Sequence, residues 1–227
     1  MNPIRTAGRG TGGVRSAFTL IELLVVIAII LILAAILTPA VDNAFKKGRV
    51  TRARAEMSSI VAAIQAYASE YGHMPVGRDN GYGDHVYMGE WGEDMAIVGN
   101  PRETKYVFNI LRGMDRTNNP KGMVFLEVPE RAMTGECLLR KHTYTAEEGY
   151  YLDPWKNPYI LVLDTDFDNQ VGGFEGVVGT WMGFPAISAL LQNLSRTESH
   201  AFPGVRVAVM SYGPVPGDTN SFMMSFQ

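Results

Sequence analysis

Glu22 is the residue whose chemistry stands out first. From Phe18 to Leu37 the chain runs through twenty residues, and Glu22 is the charged one among them. About 20 apolar residues suffice to carry a helix across ~30 Å of hydrocarbon. A charged side chain at the centre of such a helix costs roughly 2.5–3.5 kcal/mol on insertion scales, so a carboxylate kept there calls for a partner. No Lys or Arg lies within a helical turn of it. A cation would arise if the chain were cut between Ala17 and Phe18, because the new α-amino group would stand one turn before Glu22. The flanks suit such a cut. Met1–Ala17 is short and polar, has no acid, and carries Arg5, Arg9 and Arg15. An ordinary secretory signal places its small-residue cleavage site after the apolar core. Here Ser16 and Ala17 come before it.

A second group of residues points to metal chemistry. The stretch Asp164-Thr165-Asp166-Phe167-Asp168-Asn169-Gln170-Val171-Gly172-Gly173-Phe174-Glu175 has carboxylates at its first, third, fifth and twelfth places. That alternation lets short acids converge on one hard cation, and a Glu in the last place can close the site with both oxygens. The sixth place usually takes Gly; Asn169 stands there and tolerates the left-handed conformation better than most residues. An apolar strand-like run precedes the loop and glycines follow it, unlike the helix-flanked form. The loop is a candidate for one Ca²⁺, with an acidic turn capping a strand as the alternative.

Other reactive residues form no pattern. His73, His85, His142 and His200 are scattered without metal-ligand spacing. Cys137 is the sole cysteine, so it forms no internal disulfide, and it reads as a small buried hydrophobe. The chain shows no Gly-rich phosphate loop and no Gly-x-Ser-x-Gly, and the sequence predicts no enzyme. The aromatics Tyr82, Tyr87, Trp91, Trp155 and Trp181 fit core packing better than a ligand surface. The 227 residues carry 20 basic and 23 acidic side chains, a net charge of −3. Loss of three leader arginines would leave a more acidic chain, which argues against a broad nucleic-acid surface.

Around these residues the sequence predicts one long helix and a small head. Pro39 lacks a backbone donor and crowds the carbonyl of Ala35, so a kink is expected there, and Gly48 is a second weak point. Beyond it Ala53, Met57, Ile60, Val61, Ile64, Tyr67, Ala68 and Tyr71 recur at steps of mostly three and four and form one apolar stripe. Gly72 and Pro75 then end the pattern. The first half of this helix has no partner in its own chain and needs lipid or further copies of itself. In the remainder, residues 73–100 are glycine-rich and read as a structured loop. Lys105–Leu111 reads as a short helix, Met123–Val128, Tyr159–Leu163 and Val205–Tyr212 as strands, and Phe184–Leu194 as a helix. The fold class is therefore α+β, a long N-terminal helix packed on a small antiparallel sheet.

The segment Ala17-Phe18-Thr19-Leu20-Ile21-Glu22-Leu23, with the unbroken apolar helix behind it and Pro39 beyond, resembles the N-terminus of type IV pilins and type II secretion pseudopilins. The family usually has Gly before the cut, where this chain has Ala17. The resemblance implies cleavage at Ala17–Phe18 by a membrane prepilin peptidase and N-methylation of Phe18. It implies a homo-polymer in a helical filament, with Glu22 facing the Phe18 amine of a neighbouring subunit and Pro39 inside the assembling helix. The boundaries that follow are a leader at 1–17, a transmembrane and filament-core helix at 18–41, a soluble helix half at 42–72 and a head at 73–227. Charge leaves orientation open, since Lys46, Lys47, Arg49, Arg52 and Arg54 flank the apolar run on its far side. The resemblance resolves it: a single pass of the inner membrane, N-terminus cytoplasmic, head periplasmic, later extraction into a pseudopilus.

Two segments of the head carry a narrower resemblance. Leu152-Asp153-Pro154-Trp155-Lys156-Asn157-Pro158-Tyr159 and Ser211-Tyr212-Gly213-Pro214 are similar to parts of the major type II secretion pseudopilin. In that subgroup the last loop binds calcium. This chain keeps only Asp218 of its acids, so Asp218 joins Asp164, Asp166, Asp168 and Glu175 as a candidate ligand. The stretch from Gln170 to Pro203 is longer than the family core needs. The function implied is a structural pseudopilus subunit that drives protein export, with other pseudopilins and an inner-membrane secretion platform as partners. A type IV pilus subunit and a signal-anchored periplasmic binding module are the alternatives.

Overall fold

The computed structural model describes residues 19–76, 85–88, 102–137, 141–171, 202–215, 218 and 221–226. By internal contacts the chain divides into two units, Met1–Lys46 and Lys47–Gln227. Helix α1, Leu20–Tyr71, contributes to both.

The part of α1 in the first unit shows what an apolar sequence does without a core. Leu20, Ile21, Leu23 and the large apolar residues that follow to Leu37 are all exposed. Among the described residues this is the one helix long and apolar enough to cross a membrane. The helix runs on through Pro39 and Gly48. Pro39 has no N–H to offer Ala35, and one residue earlier the Thr38 hydroxyl donates to the Ala34 carbonyl at 2.9 Å.

In the second unit α1 buries Ala53, Met57, Ile60, Ala63, Ile64 and Tyr67. This is the predicted stripe with Ala63 added, while Val61, Ala68 and Tyr71 pack at its margin. The helix stops where glycine permits it. Gly72 adopts φ +76° and its N–H donates to Ala68 at 2.9 Å.

The stripe packs on a mixed sheet built from β1 (His85–Met88), β2 (Arg102–Glu103), β5 (Ile160–Leu163), β8 (Val207–Ser211) and β9 (Met223–Met224). The order is β2-β1-β5-β8-β9, antiparallel throughout except for the parallel pair β1–β2. Every residue of β5 and β8 is buried, as continuous apolar strands at the centre of a sheet should be. Leu161, Leu163, Val207 and Val209 join the α1 stripe in one core. Helix α2, Thr104–Leu111, adds Val107, Phe108, Ile110 and Leu111 to it. A hairpin of β3 (Gly135–Cys137) and β4 (His142–Tyr144) carries a second cluster of Cys137, Tyr144, Tyr150 and Leu152. The free Cys137 is buried there. Finally β6 (Gln170–Val171) pairs with β7 (Phe202–Pro203), so the two ends of the long insertion are pinned side by side.

One expected element is different. Met123–Val128 is not a strand. The hydrogen bonds a neighbouring strand would take are used locally. The N–H groups of Phe125 and Leu126 donate to the Leu111 carbonyl at the end of α2, at 2.8 and 3.2 Å. The buried Asn119 amide donates to the carbonyls of Ile110 and Met123, at 2.9 and 2.7 Å. The predicted helix over Phe184–Leu194 lies outside the described residues, as does most of 73–100.

Polar bonds fix α1 to the rest of its unit. The Tyr159 hydroxyl donates to Glu56 at 2.7 Å, and Arg52 holds the other Glu56 oxygen at 2.8 Å. Tyr67 and Tyr71 donate to the Asn118 carbonyl and the Asn119 side chain at 2.5 and 2.6 Å. Burial pushes the Tyr67 hydroxyl up to about 12, which keeps it a donor at any physiological pH.

The turn into β5 is held by Asp153, which is buried. Its carboxylate accepts the N–H groups of Trp155 and Asn157, both at 2.9 Å, and the Ser211 hydroxyl at 2.6 Å. Burial outweighs these bonds and raises its pKa to about 6 from an ordinary 3.8. A carboxyl that holds its proton more tightly in the native chain makes the fold less stable as pH rises between those two values. The expected outcome is a stability that falls from pH 3.8 to about 6, with a shallower fall in Asp153→Asn. Denaturant unfolding of the detergent-solubilised full chain across that range is the check. A slope that the substitution leaves unchanged contradicts it.

Candidate functional site

The start of α1 is where the candidate assembly chemistry sits. Thr19 directly precedes the helix. Its N–H and its hydroxyl both donate to Glu22 Oε2, at 2.9 and 2.7 Å. The Glu22 N–H donates back to the Thr19 hydroxyl oxygen at 3.3 Å. This is a capping box, with Thr at the cap and Glu three positions on. It satisfies two of the backbone donors that a helix start leaves open. A search for a cation near Glu22 passes over Thr19, yet Thr-x-x-Glu ahead of an apolar run is the sequence form of this cap. The arrangement is chemically selective. Oε2 is occupied by Thr19, whereas Oε1 accepts no hydrogen bond among the described residues. A carboxylate so held presents one free oxygen at the helix start, in position for an ammonium group. Ala17 and Phe18 lie outside the described residues.

The acidic loop after β5 brings together three of the five candidate ligands. One oxygen from each of Asp164, Asp166 and Asp168 lies within 4.8 Å of the others. Asp166 and Asp168 are exposed, and Asp164 is fully buried. Asp164 Oδ2 accepts the Asn169 N–H at 3.2 Å and faces Arg206 Nε at 3.4 Å. Its Oδ1 is buried without a hydrogen-bond partner among the described residues. Asp168 turns partly back on the chain and accepts the Gln170 N–H at 2.8 Å. Glu175 lies outside the described residues. Asp218 is described and exposed but stands outside this group.

Two backbone features shape the loop. Asn169 has φ +64°, the left-handed conformation its place in the pattern requires. Phe167 has φ +62°, unusual for a bulky residue. Its ring lies against the Arg206 guanidinium at 5.0 Å. Arg206 thus bridges Phe167 and Asp164 from the residue just before β8, far along the chain. The three oxygens are the right donor type for a hard cation and supply three of the six to eight it takes. Arg206 offsets part of their charge. Elsewhere, His142 Nε2 lies 3.0 Å from Glu148, and Trp155 packs against the main core.

Among known families, the prokaryotic N-terminal methylation motif matches residues 14–38. That span holds Ala17, Phe18, the Thr19–Glu22 cap and most of the apolar helix, and it ends one residue before Pro39. Neither a curated protein nor a solved structure matches the chain. The motif, on an apolar helix of membrane-spanning length, indicates a membrane-anchored, type IV pilin-like protein that a prepilin peptidase processes.

Proposed function

We propose that this protein is a structural subunit of a type II secretion pseudopilus, polymerised through α1 to drive protein export. The observation that carries the reading is the start of α1. A carboxylate is fixed there by Thr19 with one oxygen to spare, at the head of an apolar helix that nothing in its unit covers. Cleavage at Ala17–Phe18 supplies the missing cation, and a neighbouring subunit's Phe18 amine is the partner for Glu22 Oε1. Side-by-side packing of the apolar segments then covers the exposed Leu, Ile and Val side chains. Other pseudopilins and an inner-membrane platform are the partners, with the head on the periplasmic side.

What favours a pseudopilus over a pilus lies in the head. The two segments that resemble the major pseudopilin meet in space, because the Ser211 hydroxyl donates to Asp153 at 2.6 Å. The turn and the opening of the last loop are thus one bonded unit.

Two substitutions at Glu22 separate charge from capping. Glutamine serves the capping box as glutamate does but carries no charge. Alanine removes both the charge and the N3 half of the capping box. Both variants are expected to insert and to be cleaved normally, and both to yield no filaments by electron microscopy of cell-envelope preparations in which the native chain does form them. Normal filaments from Glu22→Gln would reduce Glu22 to a helix cap and remove the assembly mechanism.

The reading extends to one Ca²⁺ held by Asp164, Asp166 and Asp168. Support comes from the convergence of three oxygens and from the partnerless, buried Oδ1 of Asp164. Titration calorimetry of the full chain in detergent should show one Ca²⁺ per chain, lost in Asp166→Ala. No binding heat from the native chain removes the site.

A further inference from the structure

We infer that residues 46–54 of α1 form a basic collar that binds the anionic headgroups of the bilayer entered by the apolar segment. The inference rests on membrane anchoring and is independent of filament assembly. Lys46, Lys47, Arg49, Arg52 and Arg54 fall within nine positions that contain no acid. All five are exposed. Arg52 is engaged by Glu56 at 2.8 Å. Among the described residues Lys46, Lys47, Arg49 and Arg54 have no salt-bridge partner.

Position along the helix selects lipid as the partner. The apolar run reaches Leu37, and exposed Val41 and Phe45 carry apolar contact up to Lys46. Measured from Val41 at ~1.5 Å per residue, Lys46 to Arg49 stand about 8–12 Å further along the helix, a distance their stems reach back across. A polar headgroup layer of about 5–7 Å borders each side of the hydrocarbon. Lys and Arg lay their stems along apolar surface and place their charges in that layer. Arg52 and Arg54 stand about 16–20 Å beyond Val41, a Debye length of about 8–10 Å or more above that layer, and add to the attraction more weakly.

Distribution around the helix points the same way. At about 100° per residue the five cations occupy more than half of the circumference. A protein docked on one side of a helix meets a stripe. A headgroup layer surrounds the helix and meets a collar. Outside this segment acidic residues outnumber basic ones, so the collar also offsets the repulsion between an acidic head and an anionic surface.

The test uses the full chain reconstituted into phosphatidylcholine vesicles that contain phosphatidylglycerol. Spin-labelled forms of the two lipids report how much of each is held at the protein. The expected result is a preference for phosphatidylglycerol of about five-fold or more. It should fall close to one in the variant Lys46→Gln, Lys47→Gln, Arg49→Gln and in about 1 M salt, where the Debye length is about 3 Å. Equal retention of both lipids by the native chain overturns the inference and leaves anchoring intact. No restricted lipid of either kind overturns anchoring as well. A variant that keeps the lipid preference but loses filaments assigns the collar to a neighbouring subunit and likewise overturns the inference.

Discussion

Everything in this structure follows from an apolar helix surface that its own unit does not cover. From Leu20 to Leu37 fourteen large apolar side chains stand exposed. On insertion scales each contributes ~0.3–0.6 kcal/mol, which sums to several kcal/mol, against roughly 3 kcal/mol for one carboxylate. Insertion therefore proceeds in spite of Glu22. The carboxylate does not decide whether the helix enters a bilayer; on the proposed reading it decides how the inserted helix assembles. An apolar surface attracts lipid and other apolar helices alike, and it carries no register. A charge whose partner sits at one defined place supplies register.

The Thr19–Glu22 cap reconciles two demands on that charge. Before cleavage the carboxylate needs a partner in its own chain, and Thr19 provides neutral ones. On the proposed reading, cleavage then brings an ammonium group, and Oε1 is left to accept it. One residue thus closes the helix start and stays open for assembly. The head has the opposite character. Its polar contacts close within its own unit between residues far apart in the chain, as in the Asp153–Ser211 bond and the Tyr159–Glu56 bond that fastens α1 to β5's entry turn.

Much of this was legible in the chain. The α1 stripe and its stop at Gly72 follow from helical periodicity and from glycine's conformational freedom, and both hold in the structure. The α+β class follows from one dominant helix followed by short apolar runs. The alternation of Asp164, Asp166 and Asp168 survives as a spatial cluster because the Asn169 turn is left-handed, as its place in the pattern demands. What was not legible depends on distant partners. Arg206 reaches Asp164 across 42 positions, and no local pattern announces it. Met123–Val128 has the composition of a strand, yet Leu111 and Asn119 take its hydrogen bonds. Strands of two residues such as β2, β6 and β9 are too short to show a period, so the sheet order could not be read in advance.

The central claim is that proteolysis creates the cation that Glu22 awaits. Intact mass and N-terminal sequencing of the protein from native membranes test it most directly. The account predicts a chain that begins at Phe18, lacks residues 1–17 and carries one methyl group on its amino nitrogen. A chain that still begins at Met1, or one cut beyond Leu37 so that the apolar helix is lost, contradicts it.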